Sequence, residues 1–455
     1  MSNITSHLTQ SFARRIAKNS FWSVLGTGAG RVLNLFAMIL AARSLGAEGF
    51  GAFGLVQSTL GLFGMFAGAA LGATATRFIA AMYRTNPERT GRIIGLVSGS
   101  AILSALFFAA LIVALAPWIA STILAAPHLA AATAFGAGLV GLGVLRGVQD
   151  STLAGFEAFR EIALLRFLEG LVAVLTVPLL VSRFGPAGGI TGLGIGLLLA
   201  FFPGIGLTRR QLQRYSIQVA WRDAFVEWRL LRDFSAPSLI SSTVATPVMW
   251  FCTLMLSRSP SGFTELGIFK AADQWHGPIM FVPMMLASVS IPVLVQAWEE
   301  EDRATFRRVF RSVAVLAGVL AFLPALVVIV LSAQIMAMYG WEFRGGQIAL
   351  VLLMLAAPMH VVSKLGIAAI QSMNRPWFLV GIQSFWGIML TLMALVAIPV
   401  YGANGLAFTF FISHCALLII YLSITIWLSS NDNRKQSSLI KGQFHIQTSR
   451  PSDTT

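Results

Sequence analysis

Apolar runs recur along the whole chain, and each is long enough to cross a lipid bilayer as a helix. About 20 helical residues span the roughly 30 Å of hydrocarbon in a bilayer. Because hydrocarbon offers no hydrogen-bond partners, only chains that satisfy their own backbone groups are stable there. The composition agrees, since 56% of the 455 residues are hydrophobic and only 11% are charged. The sequence therefore predicts an all-α polytopic membrane protein.

Twelve membrane spans can be delimited from these runs. They cover approximately residues 20–42, 51–73, 92–116, 130–150, 162–182, 187–206, 236–257, 266–295, 312–333, 347–370, 378–399 and 404–428. With a cytoplasmic N-terminus, 25 of the 32 Lys and Arg residues lie on the inner side, 4 lie on the outer side and 3 lie inside spans. Basic residues accumulate in cytoplasmic loops, so this distribution predicts that both termini are cytoplasmic.

The second half of the chain repeats glycine patterns of the first half. SRFGPAGGI (182–190) and PVYGANGLA (399–407) share two glycines at an offset of 217 residues. EGFGAFG (48–54) and ELGIFKA (265–271) share a glycine at an offset of 218 residues. An even number of spans separates the equivalent positions, so the repeat predicts two six-helix lobes of the same orientation, with a site between them.

This repeat divides the chain into five segments. They are a cytoplasmic N-terminal segment (1–19), a first lobe (20–206), an amphipathic cytoplasmic connector (207–235), a second lobe (236–428) and a disordered cytoplasmic tail (429–455). The connector carries arginines and tryptophans, a composition typical of helices that lie on an anionic membrane surface.

The first span contains an arginine near the middle of the bilayer. Arg31 lies about 16 Å into the span at 1.5 Å per residue. An unpaired arginine at that depth costs roughly 2.5–3.5 kcal/mol on insertion scales. Thr27 and Asn34 share its helix face, so the polar stripe is expected to point inward. Two interpretations are open: Arg31 lines a substrate cavity, or it bonds to carbonyl groups and locks helix packing.

Further ionisable residues lie within the eighth span. Lys270 and Asp273 are three residues apart on one helix face, where opposite charges can neutralise each other. Either they form a structural pair, or Lys270 contacts an anion while Asp273 serves as its partner or as a proton-linked switch. His276 is interpreted as a packing group or, alternatively, as a proton relay.

His360 and Lys364 lie one turn apart on the tenth span. Lys364 either extends to the inner surface or faces the cavity, and His360 is the third candidate for ion or proton coupling. The residues placed in the interior are thus three cations, Arg31, Lys270 and Lys364, against one acid, Asp273. Because a net buried charge is unfavourable without a counter-ion, this excess predicts an anionic ligand such as a pyrophosphate.

Several segments, in their order along the chain, are similar to those of one transporter family. They are ARSLGAEGFGAFG (42–54), LAGFEAFREIALLRF (153–167), LLRDFSAPSLISS (230–242) and SIPVLVQ (290–296). They resemble the Wzx-type lipid-linked oligosaccharide flippases of the multidrug/oligosaccharidyl-lipid/polysaccharide exporter superfamily.

The resemblance implies a two-lobed fold in the bacterial inner membrane. It also implies translocation of an undecaprenyl-pyrophosphate-linked oligosaccharide to the outer leaflet, for O-antigen, capsule or exopolysaccharide assembly. The implied partners are this substrate, membrane lipids and a polysaccharide polymerase or assembly machinery.

Two other functions stay open. A drug or metabolite antiporter of the same superfamily would favour a deep acidic site. A polysaccharide polymerase or ligase would need large outer loops, whereas none exceeds about 15 residues. The sequence has no GxxxxGK[ST] loop and no metal-ligand spacing, so we expect no catalytic residue, metal or cofactor. The net charge of +14 lies mainly in short loops between spans, so nucleic acid is not an expected partner.

Overall fold

Every regular element of the described chain is a helix. The computed structural model of the chain describes residues 26–68, 71–232, 244–373 and 376–448. Its α-helices are α1 Gly28–Gly68, α2 Leu71–Met82, α3 Pro87–Trp118, α4 Ala130–Gly155, α5 Phe159–Arg214, α6 Ala245–Ser257, α7 Gly262–Asp273, α8 His276–Glu299, α9 Arg303–Val330, α10 Ser332–Tyr339, α11 Gln347–Ser372 and α12 Pro376–Thr448. We call residues 26–232 the first half and residues 244–448 the second half.

Eight helical stretches of the described residues are long and apolar enough to cross a membrane. This finding confirms the prediction of an all-α polytopic membrane protein. Three of these stretches, formed by α1, α5 and α12, each contain two of the predicted spans. The predicted span 236–257 begins outside the described residues, and α6 is its described part. The total of twelve spans and the cytoplasmic position of the termini stay predictions.

The three longest helices are each interrupted at a glycine with positive φ. The backbone angles φ and ψ are 68° and 179° at Gly46, 55° and −141° at Gly185, and 54° and −126° at Gly402. Only glycine adopts positive φ without steric cost, which explains the residue type at these positions. At Gly185 the chain folds back on itself. The hydroxyl of Thr176, before the turn, donates to the carbonyl of Gly192, after the turn, at 3.0 Å.

The sequence repeat builds the same turn twice. Gly185 and Gly402 have nearly equal backbone angles. Three residues later, a Cβ on Gly188 would collide with the carbonyl oxygen of Leu180, and one on Gly405 would collide with that of Ala397. Leu180 and Ala397, which carry these carbonyl groups, are as many residues apart in the sequence as the two glycines. The repeated glycines therefore allow the same close approach of two helices in both halves.

The predicted span 266–295 lies within one helical stretch, Gly262–Glu299, whose regular hydrogen bonding is interrupted at residues 274 and 275. Helix α7 ends at Asp273 and α8 begins at His276. Pro278 explains the break, since its ring would clash with the carbonyl of residue 274 and it has no N–H to donate. The break exposes backbone groups in the middle of the bundle.

The two halves touch closely at the end that holds the turn at Gly46. A Cβ on Gly51 would collide with the carbonyl oxygen of Phe263, and one on Gly267 would collide with that of Ala47. The carboxylate of Glu342 accepts a hydrogen bond from the N–H of Ala47 at 2.6 Å. In the same region, Nη2 of Arg258 donates to the carbonyl of Ile123 at 2.5 Å. By the predicted topology this is the outer end.

The connector differs from a single amphipathic helix. Helix α5 extends to Arg214, beyond the predicted lobe boundary at 206, and a short 3₁₀ helix covers Ala224–Glu227. Glu227 holds this segment against α3, with its carboxylate 2.9 Å from Nε of Arg89 and 3.7 Å from Nε of Arg92.

The two predicted terminal segments have different outcomes. The N-terminal segment 1–19 lies outside the described residues. Helix α12 continues to Thr448, so residues 429–448, expected to be a disordered tail, have a helical backbone. This part of the tail has no proline to stop the helix that precedes it.

Candidate functional site

A cavity of about 660 Å³ lies between the two halves. Most of its wall comes from α1, α4 and α5 of the first half, and the second half contributes the break between α7 and α8. Its lining residues are Thr27, Gly30, Arg31, Asn34, Leu35, Met38, Gln57, Leu139, Arg166, Glu169, Gly170, Ala173, Leu193, Gly196, Leu197, Gln274, Gly277 and Pro278. We call this space the central cavity. The three predicted site residues of the first span, Thr27, Arg31 and Asn34, all line it.

Arg31 crosses the central cavity and contacts the second half. Its Nη1 donates to the carbonyl of Gly277 at 3.2 Å, and its guanidinium lies 4.7 Å from the centre of the Phe281 ring. Within the described part of the chain, no carboxylate lies within ion-pair distance of Arg31. The side chain stays accessible from the cavity. Arg31 is therefore a cation whose charge is not neutralised by these neighbours.

Four charged side chains of α4 and α5 form a buried network beside the cavity. Nη1 of Arg146 lies 2.6 Å from Asp150, and its Nε lies 2.9 Å from Glu169. Arg166 reaches the same carboxylates, at 2.5 Å to Asp150 and 3.1 Å to Glu169. Arg146 is only 1% exposed. Two cations and two carboxylates make the network neutral. We call it the ion-pair network.

Sequence reasoning counted Arg146 and Arg166 as cations of the inner surface, and the structure corrects this. Both belong to the ion-pair network, and Arg166 also lines the central cavity. The signal was present, because the predicted spans 130–150 and 162–182 contain these arginines and their acidic partners. Ionisable residues inside spans mark interior positions. Since the network is neutral, the predicted excess of two buried positive charges is unchanged.

The other predicted site residues lie outside the wall of the central cavity. Lys270 is directed at α1, where a Cβ on Gly54 would come within 2.8 Å of its Cγ. The described ion pairs do not include Lys270 with Asp273, so a pair within 4.0 Å, one of the two interpretations left open by the sequence, is not formed between these residues. Lys364 on α11 is likewise beyond the cavity wall.

His276 and His360 meet in the interior of the second half. Nε2 of His276 lies 3.4 Å from Nδ1 of His360. A third ring, that of His414 on α12, lies 4.4 Å from the ring of His360, centre to centre. We call these three residues the histidine cluster. His414 was not among the site residues predicted from the sequence, although a histidine inside the predicted span 404–428 is a signal for an interior position.

An apolar groove of about 440 Å³ adjoins the central cavity. The two spaces share Gln57, Leu139 and Leu197 as lining residues. The groove is also lined by Leu60, Gly61, Gly64, Gly68, Gly72, Val140, Gly143, Val144, Gly147, Val148 and Ser151. A Cβ added at Gly64 or Gly143 would meet no atom within 4 Å. These glycines therefore leave space open and are not sites of close helix packing. We call this space the glycine groove.

Long apolar helices enclose an internal cavity that is lined by a cationic side chain, as expected for a polytopic membrane protein with an internal site. A family model described as "Polysaccharide biosynthesis protein" matches residues 16–298, and the chain belongs to that family. A relative from Ralstonia nicotianae, the "EPS I polysaccharide export inner membrane protein EpsE", is 25% identical over 201 residues. This match covers 44% of the chain and 46% of the relative, so it spans about half the length of that protein.

Solved structures share the fold over nearly the whole chain. One, titled "Inward-facing conformation of a multidrug resistance MATE family transporter of the MOP superfamily", has a TM-score of 0.70 at 17% identity. The alignment covers 89% of this chain and 96% of that one. Another, "Lipid II flippase MurJ, inward closed conformation", has a TM-score of 0.67 at 15% identity, with coverages of 95% and 93%.

Family and fold confirm the resemblance drawn from the sequence. The chain is a multi-pass membrane protein of the polysaccharide biosynthesis protein family, and it shares its fold with the MATE and MurJ structures.

Proposed function

We propose that the chain translocates an undecaprenyl-pyrophosphate-linked oligosaccharide from the inner to the outer leaflet, with the pyrophosphate bound at Arg31. The observation that carries this proposal is the accessible guanidinium of Arg31 in the central cavity, without an acidic partner among the described residues. A charge within the membrane is unfavourable unless it is paired. A phosphate oxygen pair matches the planar fork of a guanidinium and forms strong charge-assisted hydrogen bonds with it.

Arg166 supplies a second guanidinium next to this position. Its side chain is 41% exposed and lines the cavity, while both carboxylates of its ion pairs are also held by Arg146. An arriving anion can therefore share Arg166 without leaving those carboxylates unpaired. The ligand would replace the contacts that Arg31 now makes to Gly277 and Phe281. Binding would thus free the first half from the second half at this point.

The glycine groove suits the isoprenoid part of the same substrate. A polyprenyl-linked sugar is amphiphilic and needs a polar and an apolar surface side by side. The central cavity and the glycine groove are continuous through Gln57, Leu139 and Leu197. Because glycines have no side chain, the groove is open to a hydrocarbon chain, whose burial is favourable at about 25 cal/mol per Å².

Movement of the substrate requires that the two halves rock about their contact. Gly51 and Gly267 bring the helices together at one end of the molecule. The proposal includes the twelve predicted spans, the two parallel lobes and the cytoplasmic termini. In that orientation the contact closes the outer end, and the cavity receives substrate from the cytoplasm. Breaking the contact and closing the inner end would release the substrate to the outer leaflet.

The charge of the cavity favours this substrate over a cationic drug. Glu169 is the one carboxylate that lines the central cavity among the described residues, and it forms ion pairs with two arginines. A cationic ligand would have to displace an arginine to reach it. The Ralstonia relative is named as a polysaccharide export protein, which supports the same substrate class. Transfer of the flipped unit to a polymerase or assembly machinery is part of this proposal.

The test replaces Arg31 by Ala and by Lys in the native host and measures surface polysaccharide at matched membrane levels of the protein. We expect at least a tenfold loss with Arg31→Ala and a partial loss with Arg31→Lys, since lysine keeps the charge but not the fork. Arg43→Ala, on the same helix but outside the cavity, is the matched control and should export normally. Normal export by Arg31→Ala would refute the proposed site.

The role of the glycine groove is tested with two leucines on α4. Gly143→Leu would fill the groove, whereas Gly138→Leu would point elsewhere, and neither added Cβ would meet an atom within 4 Å. Both variants should therefore fold. Export should fall severalfold with Gly143→Leu only. Equal export by the two variants would show that the lipid tail does not use the groove.

A further inference from the structure

The histidine cluster joins three helices of the second half at positions that the central cavity does not use. His276 begins α8, His360 lies on α11 and His414 lies on α12. We propose that this cluster binds a single proton, and that the bound proton weakens the contact between Arg31 and Gly277. The second part of this inference rests on the proposed role of Arg31 as the anion contact.

The ring contacts define where hydrogens can lie. Nδ1 of His414 is 2.8 Å from the carbonyl oxygen of Phe410, so this nitrogen must donate. The other nitrogen of His414, Nε2, then carries a lone pair in the neutral ring. Between His276 and His360, two ring nitrogens face each other at 3.4 Å, so one of them must be protonated and the other an acceptor. The neutral cluster therefore satisfies its own short contacts and keeps free lone pairs.

Adding one proton to such a free nitrogen creates an imidazolium that can still donate to its neighbour. A second proton on an adjacent ring would place two positive charges on rings whose centres are 5.1 Å apart for His276 and His360, or 4.4 Å apart for His360 and His414. Repulsion at that distance is strong in a low-dielectric interior. Rings coupled in this way titrate as one unit. The cluster is therefore expected to exist with no added proton or with one.

Besides Arg31, whose guanidinium is bound at the neighbouring Gly277, the surroundings contain one cation and one carboxylate that influence the added proton. Lys364 follows His360 by one turn of α11, and Asp273 ends α7 three residues before His276. Lys364 opposes protonation and Asp273 favours it. From α12, Phe410 and Trp386 cover the cluster with apolar rings. The adjacent Cys415 is engaged with the sulfur of Met359 at 3.2 Å.

The backbone links the cluster directly to the cavity. His276 is followed by Gly277, whose carbonyl oxygen accepts from Nη1 of Arg31. The guanidinium of Arg31 is therefore bound at the residue next to His276. A positive charge on His276 would repel this guanidinium and so would weaken the hydrogen bond between the halves. Arg31 would then be available to an anion. Since binding linkage is reciprocal, the proton and the anion should each strengthen the binding of the other.

The proton site is tested by NMR on the full chain in lipid nanodiscs with ¹⁵N-labelled histidine. Between pH 5 and pH 8 we expect one titration step from the cluster, corresponding to one proton. The step should vanish in His360→Gln and in His276→Gln and should persist in His128→Gln. His128 packs near Phe263, away from the cluster. Full protonation of all three rings, or no titration in this range, would overturn the single-proton site.

The coupling is tested with inorganic pyrophosphate as the probe. Equilibrium dialysis of the nanodisc protein at pH 6 and pH 8 gives two dissociation constants for each variant. The ratio of these constants should differ at least threefold between wild type and His360→Gln, while His128→Gln matches wild type. Comparing ratios cancels the titration of pyrophosphate itself. Equal ratios would overturn the coupling.

The two proposals fail in different ways. If pyrophosphate binds to no variant, the anion site at Arg31 and its coupling are both refuted, whereas the NMR titration still decides on the proton site. If pyrophosphate binds and the ratio of its dissociation constants at pH 6 and pH 8 is the same in all variants, the anion site stands and the coupling is refuted.

Discussion

The two halves accommodate buried polar groups in different ways. In the first half, the ion-pair network joins two arginines to two carboxylates within 3.1 Å or less, and its total charge is zero. In the second half, the histidine cluster and Lys364 have no such pairs among the described residues. The interior of a membrane protein can thus hold ionisable groups either as matched charges or as rings that can stay neutral. Matched charges resist change, whereas a neutral ring can accept a proton.

Arg31 lies where these two arrangements meet. It belongs to α1 of the first half, yet its side chain contacts a carbonyl and an aromatic ring of the second half. A carbonyl and a ring face are weak partners for a full charge compared with a carboxylate. An anion that binds Arg31 would therefore lose little by displacing these two contacts.

The largest effect is expected where a matched charge is broken. Glu169→Gln leaves Arg146 and Arg166 with one carboxylate between them. Removing one partner from a buried ion pair costs about 3–5 kcal/mol. Thermal unfolding in detergent should show a clear drop in stability. Glu48→Gln, at an exposed carboxylate of α1, is the control and should leave the unfolding temperature unchanged.

The double variant Arg146→Met with Glu169→Met sharpens this result. It removes one charge of each sign and keeps the pair between Arg166 and Asp150. Apolar replacement of a buried ion pair is often neutral. The double variant should therefore be more stable than Glu169→Gln. If it is less stable, charge balance does not explain the network.

A second carboxylate tests whether burial of the partners matters. Glu227 pairs with Arg89 and Arg92, whose side chains are 38% and 31% exposed. Because water and salt screen these partners, Glu227→Gln should cost only about 1.5 kcal/mol. Limited proteolysis should show faster cleavage of the connector. Asp223→Asn, at an exposed neighbour, should not accelerate cleavage. A loss as large as that for Glu169 would mean that burial is unimportant.

The histidine cluster should tolerate loss of a ring nitrogen much better than the ion-pair network tolerates loss of a charge. His360→Phe replaces one aromatic ring by another of similar volume and strands no charge. We expect a change of about 1 kcal/mol or less in the free energy of unfolding. Chemical denaturation at pH 8 measures it, since the cluster is then without its added proton. A destabilisation comparable to Glu169→Gln would show that the cluster is charged and paired.

The smallest effect concerns a carboxylate outside the membrane. Asp302 caps α9, and the hydrogen bond from Thr305 lowers the pKa of this carboxyl below its ordinary value of 3.8. A lowered pKa stabilises the fold above the unfolded pKa, and this stability is lost as the pH falls through the folded pKa. Below pH 3.8, the stability difference between wild type and Asp302→Asn should therefore shrink or reverse. Asn caps helices without titrating, so an unchanged difference would refute this account.

Much of the fold could be predicted from local patterns. The length of the apolar runs predicted membrane helices, and the offset of 217 residues predicted the matching turns at Gly185 and Gly402. The helical period placed Thr27, Arg31 and Asn34 on one face, and all three line the central cavity. These properties depend on neighbours within one or two turns, which a sequence displays directly.

The site as a whole could not be predicted in the same way. Arg146 on α4 meets Glu169 on α5, and His414 on α12 meets His360 on α11. A count of buried charges showed an excess of cations but not which of them share a cavity. Lys270 and Lys364 belong to that excess, yet both lie beyond the cavity wall. The rotation of each helix against its neighbours decides such contacts, and helix periodicity alone does not specify it.

The sequence by itself determined that the chain is a helical membrane protein with an internal repeat and a deeply placed arginine. These features follow from the hydrophobic effect and from the cost of bare charge in hydrocarbon, which act on each segment separately. Only the tertiary structure decided that, among the described residues, Arg31 is left without a carboxylate while Arg146 lies within ion-pair distance of two. That outcome depends on where α4, α5 and the break before α8 lie in space, because ion pairs act only over a few ångströms between segments far apart in the chain.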